Sequence, residues 1–96
     1  MSNASKSTNN FARALKSIRK SKGLSQEDFS LASSRTYVST LERSMKSPTL
    51  SKIDDLAQVL GVHPLTLLTL AYLRTSDEAA VNKVLSVVTD EISELK

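Results

Sequence analysis

The stretch LSQEDFSLASSRTYVSTLERS, residues 24–44, has the pattern of two short helices joined by a turn, and it decides the fold. Ser25 stands where a helix N-cap is expected, and an acidic residue three positions later makes a weak capping box. After Ser34, Val38 and Leu41 are spaced by three residues, as on the inward face of a helix. We therefore predict a helix that starts at Ser25 and a further helix that starts after Ser34.

One helix is predicted upstream of this stretch. Its apolar residues recur at intervals of three and four, at Phe11, Ala14, Leu15 and Ile18. Ser7 or Thr8 is the expected N-cap, and Gly23 is the expected end, because glycine takes the left-handed conformation of a terminating residue at no steric cost. Residues 1–8 are predicted to form a disordered leader, part of which resembles a cloning scar.

Two further helices are predicted directly downstream. The fourth helix is capped by Thr49 or Ser51 and stopped by Gly61, and its apolar stripe is Ile53, Leu56, Ala57 and Leu60. The fifth helix opens at Pro64, because proline is preorganised for the first helical turn. Its sequence, PLTLLTLAYLR, is apolar on nearly all sides, so we expect it to be covered on more than one face.

The sixth predicted helix begins after Thr75 or Ser76, and its apolar stripe is Val81, Val84, Leu85, Val88, Ile92 and Leu95. This stripe is expected to pack either on its own chain or against the same helix of a second chain. The predicted fold is therefore all-α: a five-helix unit over residues 9–74, followed by a sixth helix over residues 75–96 for dimerisation or packing.

Composition limits the class of protein. The 96 residues suit one domain, and the chain contains no cysteine, so disulfides and thiolate metal sites are excluded. No run of about 18 apolar residues or signal peptide is present, which predicts a cytoplasmic protein without a membrane span.

The charges are unevenly distributed along the chain. Residues 1–52 contain ten basic and three acidic residues, whereas residues 53–96 contain three basic and seven acidic ones. The net charge of +7 on the first half favours a polyanionic partner.

Catalytic residues are not expected. The single histidine, His63, precedes a proline at a helix start, where a cap or surface role is expected. Asp54 and Asp55 are neighbours on a helix and so point in different directions. The chain has only two glycines and no glycine-rich phosphate loop. We therefore expect no enzymatic activity, no metal ion and no cofactor.

Four segments in a fixed order, GLSQEDF, RTYVSTLER, SPTL and LAQVLGV, resemble the phage-repressor-like helix-turn-helix family, known as the Cro/C1 or XRE family. The resemblance covers roughly residues 11–70. It implies a lambda-repressor-like domain whose third helix lies in the major groove of double-stranded DNA. It also implies a sequence-specific transcriptional regulator that binds a palindromic operator as a homodimer.

Carried over position by position, the resemblance implies DNA contacts at Ser25, Gln26, Ser34, Arg35, Thr36, Tyr37, Thr40, Arg43 and Lys46. Arg35 is the strongest base reader, because its guanidinium can bond a guanine at two points. Thr36 and Thr40 are expected to contact a thymine methyl group or a polar group of a base, and Tyr37 either touches DNA or packs against the second helix. Phosphate contacts are expected at Ser25, Gln26, Arg43 and Lys46.

The resemblance also implies a structural ion pair between Arg19 and Glu42, which would tie the first helix to the third. Other basic residues of the first helix and its end are expected to lie on a solvated face: Arg13, Lys16, Lys20 and Lys22.

The chain departs from the family at the turn. Gln26 and Glu42 are 16 positions apart, where the family usually has about 18. The segment LASSRTY stands where LASGLDRTY would be typical, so a glycine and the apolar residue after it are missing. Either the second helix ends early and Leu31 fills the core, or a tight turn at Ser33 tilts the third helix. Ser44 is a second departure, since glycine usually ends the third helix.

A second function class is compatible with these departures. A protein-interaction module, antitoxin-like or an adaptor, would keep the fold with weak or non-specific DNA binding. The shortened turn and the apolar surplus beyond residue 64 favour this alternative. We do not expect a small-molecule effector, because residues 11–70 leave no separate effector domain in this sequence.

Overall fold

A computed structural model describes residues 9–30 and 34–96, and every regular element in these residues is helical. The elements are α1 (Phe11–Ser21), a 3₁₀ helix (Gln26–Phe29), α2 (Arg35–Glu42), α3 (Leu50–Leu60), α4 (Pro64–Ala71) and α5 (Glu78–Glu94). The prediction of an all-α helix-turn-helix fold is confirmed. The described residues contain five α-helices rather than six, because the second predicted helix is a single 3₁₀ turn.

The 3₁₀ turn follows from its length and its capping. Four residues are too few for a ladder of α-helical bonds, and the backbone of Asp28 instead donates to the carbonyl of Ser25 at 3.2 Å. The Asp28 carboxylate also accepts from the backbone N–H of Ser25 at 2.6 Å and from its hydroxyl at 3.1 Å. These bonds hold the turn in place and aim Phe29 into the core, where it is fully buried.

Two helix starts differ from the prediction. Asn10 caps α1 by accepting from the backbone N–H of Arg13, whereas the expected caps, Ser7 and Thr8, lie outside the described residues. Asn10 is fixed there because its own N–H donates to the carbonyl of Ala71 at 2.6 Å. Asp77 is the N-cap residue of α5, and the Thr75 hydroxyl accepts from its backbone N–H at 3.1 Å. Of these contacts, the one between Asn10 and Ala71 joins distant segments, which the sequence pattern did not show.

The core lies between α1, the 3₁₀ helix, α2, α3 and α4. Its buried residues are Ala14, Leu15, Ile18, Phe29, Val38, Leu41, Ile53, Leu56, Leu60, Leu67 and Ala71. The helices α1, α2 and α3 each contribute the face that their apolar spacing predicts. The inward face of α2 consists of Val38 and Leu41, which are 0% and 1% exposed, and these two side chains fix how the helix sits on the domain.

Arg13 joins the two ends of the domain. Its guanidinium donates to the carbonyl of Leu73 and, at 3.4 Å, to that of Arg74, just beyond the end of α4. The expectation that Arg13 lies on a solvated face is therefore wrong, because its half-buried side chain binds the carbonyls of two residues that follow α4. Lys16, Lys20 and Lys22 are exposed, as expected.

The last two helices are less covered than the others. In α4, Leu67 and Ala71 are buried, but Leu65 on another face is 61% exposed. No residue of α5 is buried, and α5 packs mainly against α4. None of the described helices is both long and apolar enough to cross a bilayer.

Candidate nucleic-acid interface

The start of α2 presents polar side chains to solvent from a fixed backbone. The Ser34 hydroxyl caps the helix by accepting from the backbone N–H of Tyr37 at 3.0 Å. Arg35 and Thr36 fill the first turn, and both are exposed. Because these side chains are exposed, they are available to a groove.

The other end of α2 is held by Glu42. Arg19 of α1 binds this carboxylate at two points, with Nε 2.7 Å from Oε2 and Nη2 3.0 Å from Oε1. The two side chains are only 10% and 4% exposed, and Arg19 also donates to the carbonyl of Leu24 at 2.9 Å. This bidentate pair connects α1, the loop before the 3₁₀ helix and α2.

The environment of Glu42 favours its charged form. Burial is the largest single effect and acts to raise the pKa of Glu42. Hydrogen bonds from Arg19 and Gln26, together with the positive charges of Arg19 and Lys16, outweigh burial and lower this pKa below its ordinary value. The hydrogen bond to Glu42 is the main cause that raises the pKa of Arg19, against a smaller opposing effect of burial.

Gln26 and Ser25 are engaged within the protein. Gln26 is half-buried, and its side-chain amide donates to Glu42 Oε1 at 3.1 Å. An amide group has two N–H donors, so one remains for a phosphate. Ser25 is exposed, with its hydroxyl on Asp28. The structure thus gives Gln26 a second role that the sequence did not indicate: it links the 3₁₀ helix to the end of α2.

The Tyr37 side chain is partly packed against the core and partly exposed to solvent. Its ring is half-buried against the core, and the ammonium group of Lys52 in α3 lies 5.5 Å from the ring centroid. This distance is within the range of a cation–π contact. Lys52 was not among the predicted site residues, since nothing in the sequence pairs residues that are 15 positions apart on different helices.

The Thr40 hydroxyl is directed to its own helix. It donates to the carbonyl of Thr36 at 2.7 Å, and the side chain is half-buried. A base could therefore meet the Thr40 methyl group or the lone pairs of its oxygen, but not its hydroxyl proton. Of the predicted base readers, Arg35 and Thr36 are the more accessible.

Basic residues follow the end of α2. Arg43 is exposed, with its Nε 3.4 Å from the carbonyl of Ser39, and Lys46 is also exposed. Between them Ser44 has φ of +60°, the conformation that glycine adopts at least cost. Ser44 therefore ends the helix with the left-handed geometry that glycine provides elsewhere.

The shortened turn falls partly outside the described residues. The 3₁₀ helix ends at Phe29 and α2 begins at Arg35. Leu31 and Ser33, on which the two predicted alternatives depend, are not among the described residues.

The family comparison agrees with this geometry. Residues 15–67, more than half of the chain, match the family model described as helix-turn-helix. The chain belongs to the helix-turn-helix family. The matched range contains every predicted DNA-contacting residue and both partners of the Arg19–Glu42 pair, whereas α5 lies beyond it.

Two individual proteins are similar to this member of the family. An uncharacterized HTH-type transcriptional regulator, y4dJ, from Sinorhizobium fredii (strain NBRC 101917 / NGR234) is 44% identical over 62 residues, which are 62% of this chain and 75% of that protein. The crystal structure of the restriction-modification controller protein C.AhdI from Aeromonas hydrophila is 36% identical. That match covers 59% of this chain and 86% of the other, with a TM-score of 0.57.

Proposed function

We propose that this helix-turn-helix protein is a sequence-specific transcriptional regulator that binds a palindromic DNA operator as a homodimer. The observation that carries the proposal is α2, whose exposed first turn holds Arg35 and Thr36. The helix is fixed underneath by Val38 and Leu41 and at its end by the Arg19–Glu42 pair. A rigid helix with an exposed polar first turn is what reading base edges in a major groove requires.

The similar proteins support the same proposal. One is named a transcriptional regulator and the other a controller protein of a restriction-modification system. In the proposed complex Arg35 and Thr36 read bases, while phosphates are bound by Ser25, Gln26, Ser34, Arg43 and Lys46. The two α2 helices of a dimer would lie about one DNA turn apart, roughly 34 Å, on a palindromic site. Such a regulator would act in the cytoplasm, without a cofactor or a small-molecule effector.

Selection from a library of random duplexes tests this proposal. The full chain is used for selection, and binding of the enriched sequences is then measured at several salt concentrations. Enrichment of a motif with two-fold symmetry is the expected result, with an affinity well above that for unselected duplex.

The second candidate function is a protein-interaction module, favoured by the exposed apolar side chains of α5. It would give weak binding that falls steeply with salt and selects no motif. That result would overturn the proposed regulator.

A further inference from the structure

The surface of α4 and α5 contains a continuous apolar region. An open groove of about 440 Å³ runs between the two helices, and its wall includes Leu65 and Thr69 from α4, Leu73 from the segment after α4, and Val81 and Leu85 from α5. Beyond the groove, the same face continues with exposed side chains: Val88 and Ile92 of α5 are 45% and 53% exposed, and Leu95, the C-cap residue of α5, is 84% exposed. An occupant of the groove alone would leave this second part uncovered.

The spacing of these α5 side chains is that of a helix-pairing seam. Residues 81, 85, 88, 92 and 95 are separated by four, three, four and three positions. This alternation is a heptad with Leu85 and Ile92 at its a positions and Val81, Val88 and Leu95 at its d positions. Its period of 3.5 keeps one narrow line of side chains facing a partner helix along its whole length.

We propose that a second copy of this chain covers the region, with the α5 helices paired in parallel and each lying in the groove of the other copy. The proposal deepens the proposed function, since it rests on a regulator that acts as a homodimer and assigns its interface. The family match ends at residue 67, so α5 is an element that the match does not account for.

Charge complementarity supports the parallel direction. In the heptad that the seam defines, Glu91 is at a g position, and Lys96, two residues beyond the end of α5, follows at the next e position. In a parallel pair, a g residue faces the e residue five positions later on the partner, so Glu91 of each copy meets Lys96 of the other. In an antiparallel pair the C-terminal end of one α5 lies beside the N-terminal end of the other, so Glu91 of one copy is far from Lys96 of the other.

Interface size indicates why the groove takes part. A stable dimer needs about 800 Å² from each copy, and α5, with 17 residues, is only about 26 Å long. A single seam of five side chains is short for that purpose. Insertion into the groove adds the exposed Leu65 and the half-buried Thr69 to the buried surface and gives a bundle of four helices.

A single engineered cysteine tests the pairing, because the chain has no cysteine of its own. In the parallel dimer, the side chains of Leu95→Cys meet each other and form a disulfide under mild oxidation. Ser93→Cys, on the outward side of α5, is the matched control and cross-links at least tenfold more slowly. Equal rates for the two variants would overturn the parallel pairing.

A charge placed in the seam tests the association itself. Ile92→Asp is expected to raise the dimer dissociation constant at least tenfold in sedimentation equilibrium, whereas Ser93→Asp leaves it unchanged. Binding of the Ile92→Asp variant to a single half-site reports that its domain is folded. A monomeric wild-type chain, or an Ile92→Asp variant that dimerises normally, would overturn the inference, whereas absence of DNA binding by the wild-type chain would overturn the proposed function alone.

Discussion

The helices α2 and α5 differ in what holds them in place. The shorter one, α2, has eight residues, two of which are buried, and ends in a buried ion pair, whereas α5 has 17 residues and none is buried. Helix length therefore does not indicate where this molecule is stable; tertiary contacts do. The contacts that stabilise the domain also position α2, while α5 is available for association.

Loss of the Arg19–Glu42 pair is expected to have the largest effect. Glu42→Ala leaves the guanidinium of Arg19 in a buried site without its partner, which should lower the free energy of unfolding by about 3–5 kcal/mol. Glu94→Ala, the same substitution at an exposed position of α5, should leave that free energy almost unchanged. Urea unfolding at a low protein concentration, where both variants are monomeric, measures the difference. Equal stability of the two variants would contradict the conclusion that buried contacts hold α2 in place and that α5 lacks them.

Removal of Arg35 should affect DNA binding and not stability. Because Arg35 is exposed in the first turn of α2, Arg35→Ala should weaken binding to the selected operator by about 1–3 kcal/mol and relax the preference at one base pair. Titration of operator variants by fluorescence anisotropy measures both effects.

The matched control for Arg35→Ala is Lys46→Ala, which removes another exposed positive charge just after the same helix. It should weaken binding to all sequences alike and reduce the salt dependence. An Arg35→Ala variant with unchanged operator affinity would show that α2 does not lie in the groove as proposed.

The sequence predicted the elements that depend on local pattern. The inward faces of α1, α2 and α3 follow from apolar spacing, and Thr49 and Gly61 bound α3 as cap residues of the predicted types. The contact between Arg19 and Glu42, 23 residues apart, came from the family resemblance and not from periodicity.

The contacts that the sequence did not predict join distant segments. Arg13 bonds carbonyls 60 and 61 residues away, and its position in a basic helix only indicated a solvated side chain. Lys52 of α3 lies over the Tyr37 ring of α2, although no pattern in the sequence links the two residues. Side-chain partners across a fold depend on helix orientation, which apolar spacing alone does not define.

Acid should weaken the ion pair at the end of α2. The pKa of Glu42 is lower in the folded chain than the ordinary value of 4.5, so its stabilising contribution is complete above pH 4.5 and is lost as the pH falls through the folded-state pKa. The Glu42→Gln variant lacks this titration, so the stability difference between it and the wild-type chain should shrink on acidification. Urea unfolding of both proteins from pH 7 to pH 3 checks this, and a difference independent of pH would contradict it.

The smallest expected effect concerns the end of α2, where Ser44 adopts a conformation that Gly61 adopts at the end of α3. Their φ angles are +60° and +72°, but only Ser44 has a Cβ atom, which the left-handed region disfavours. Ser44→Gly should therefore stabilise the domain by about 0.5–1 kcal/mol, because the relief of strain exceeds the added entropy of the unfolded chain.

Gly61→Ala should destabilise the domain by about 1 kcal/mol, because alanine is disfavoured at a φ of +72°. An added Cβ would meet no atom within 4 Å, so no steric clash contributes to this effect. Thermal unfolding measures both, with Ser47→Gly as the control at a serine without positive φ; a Ser44→Gly variant no more stable than Ser47→Gly would show that the end of α2 is unstrained.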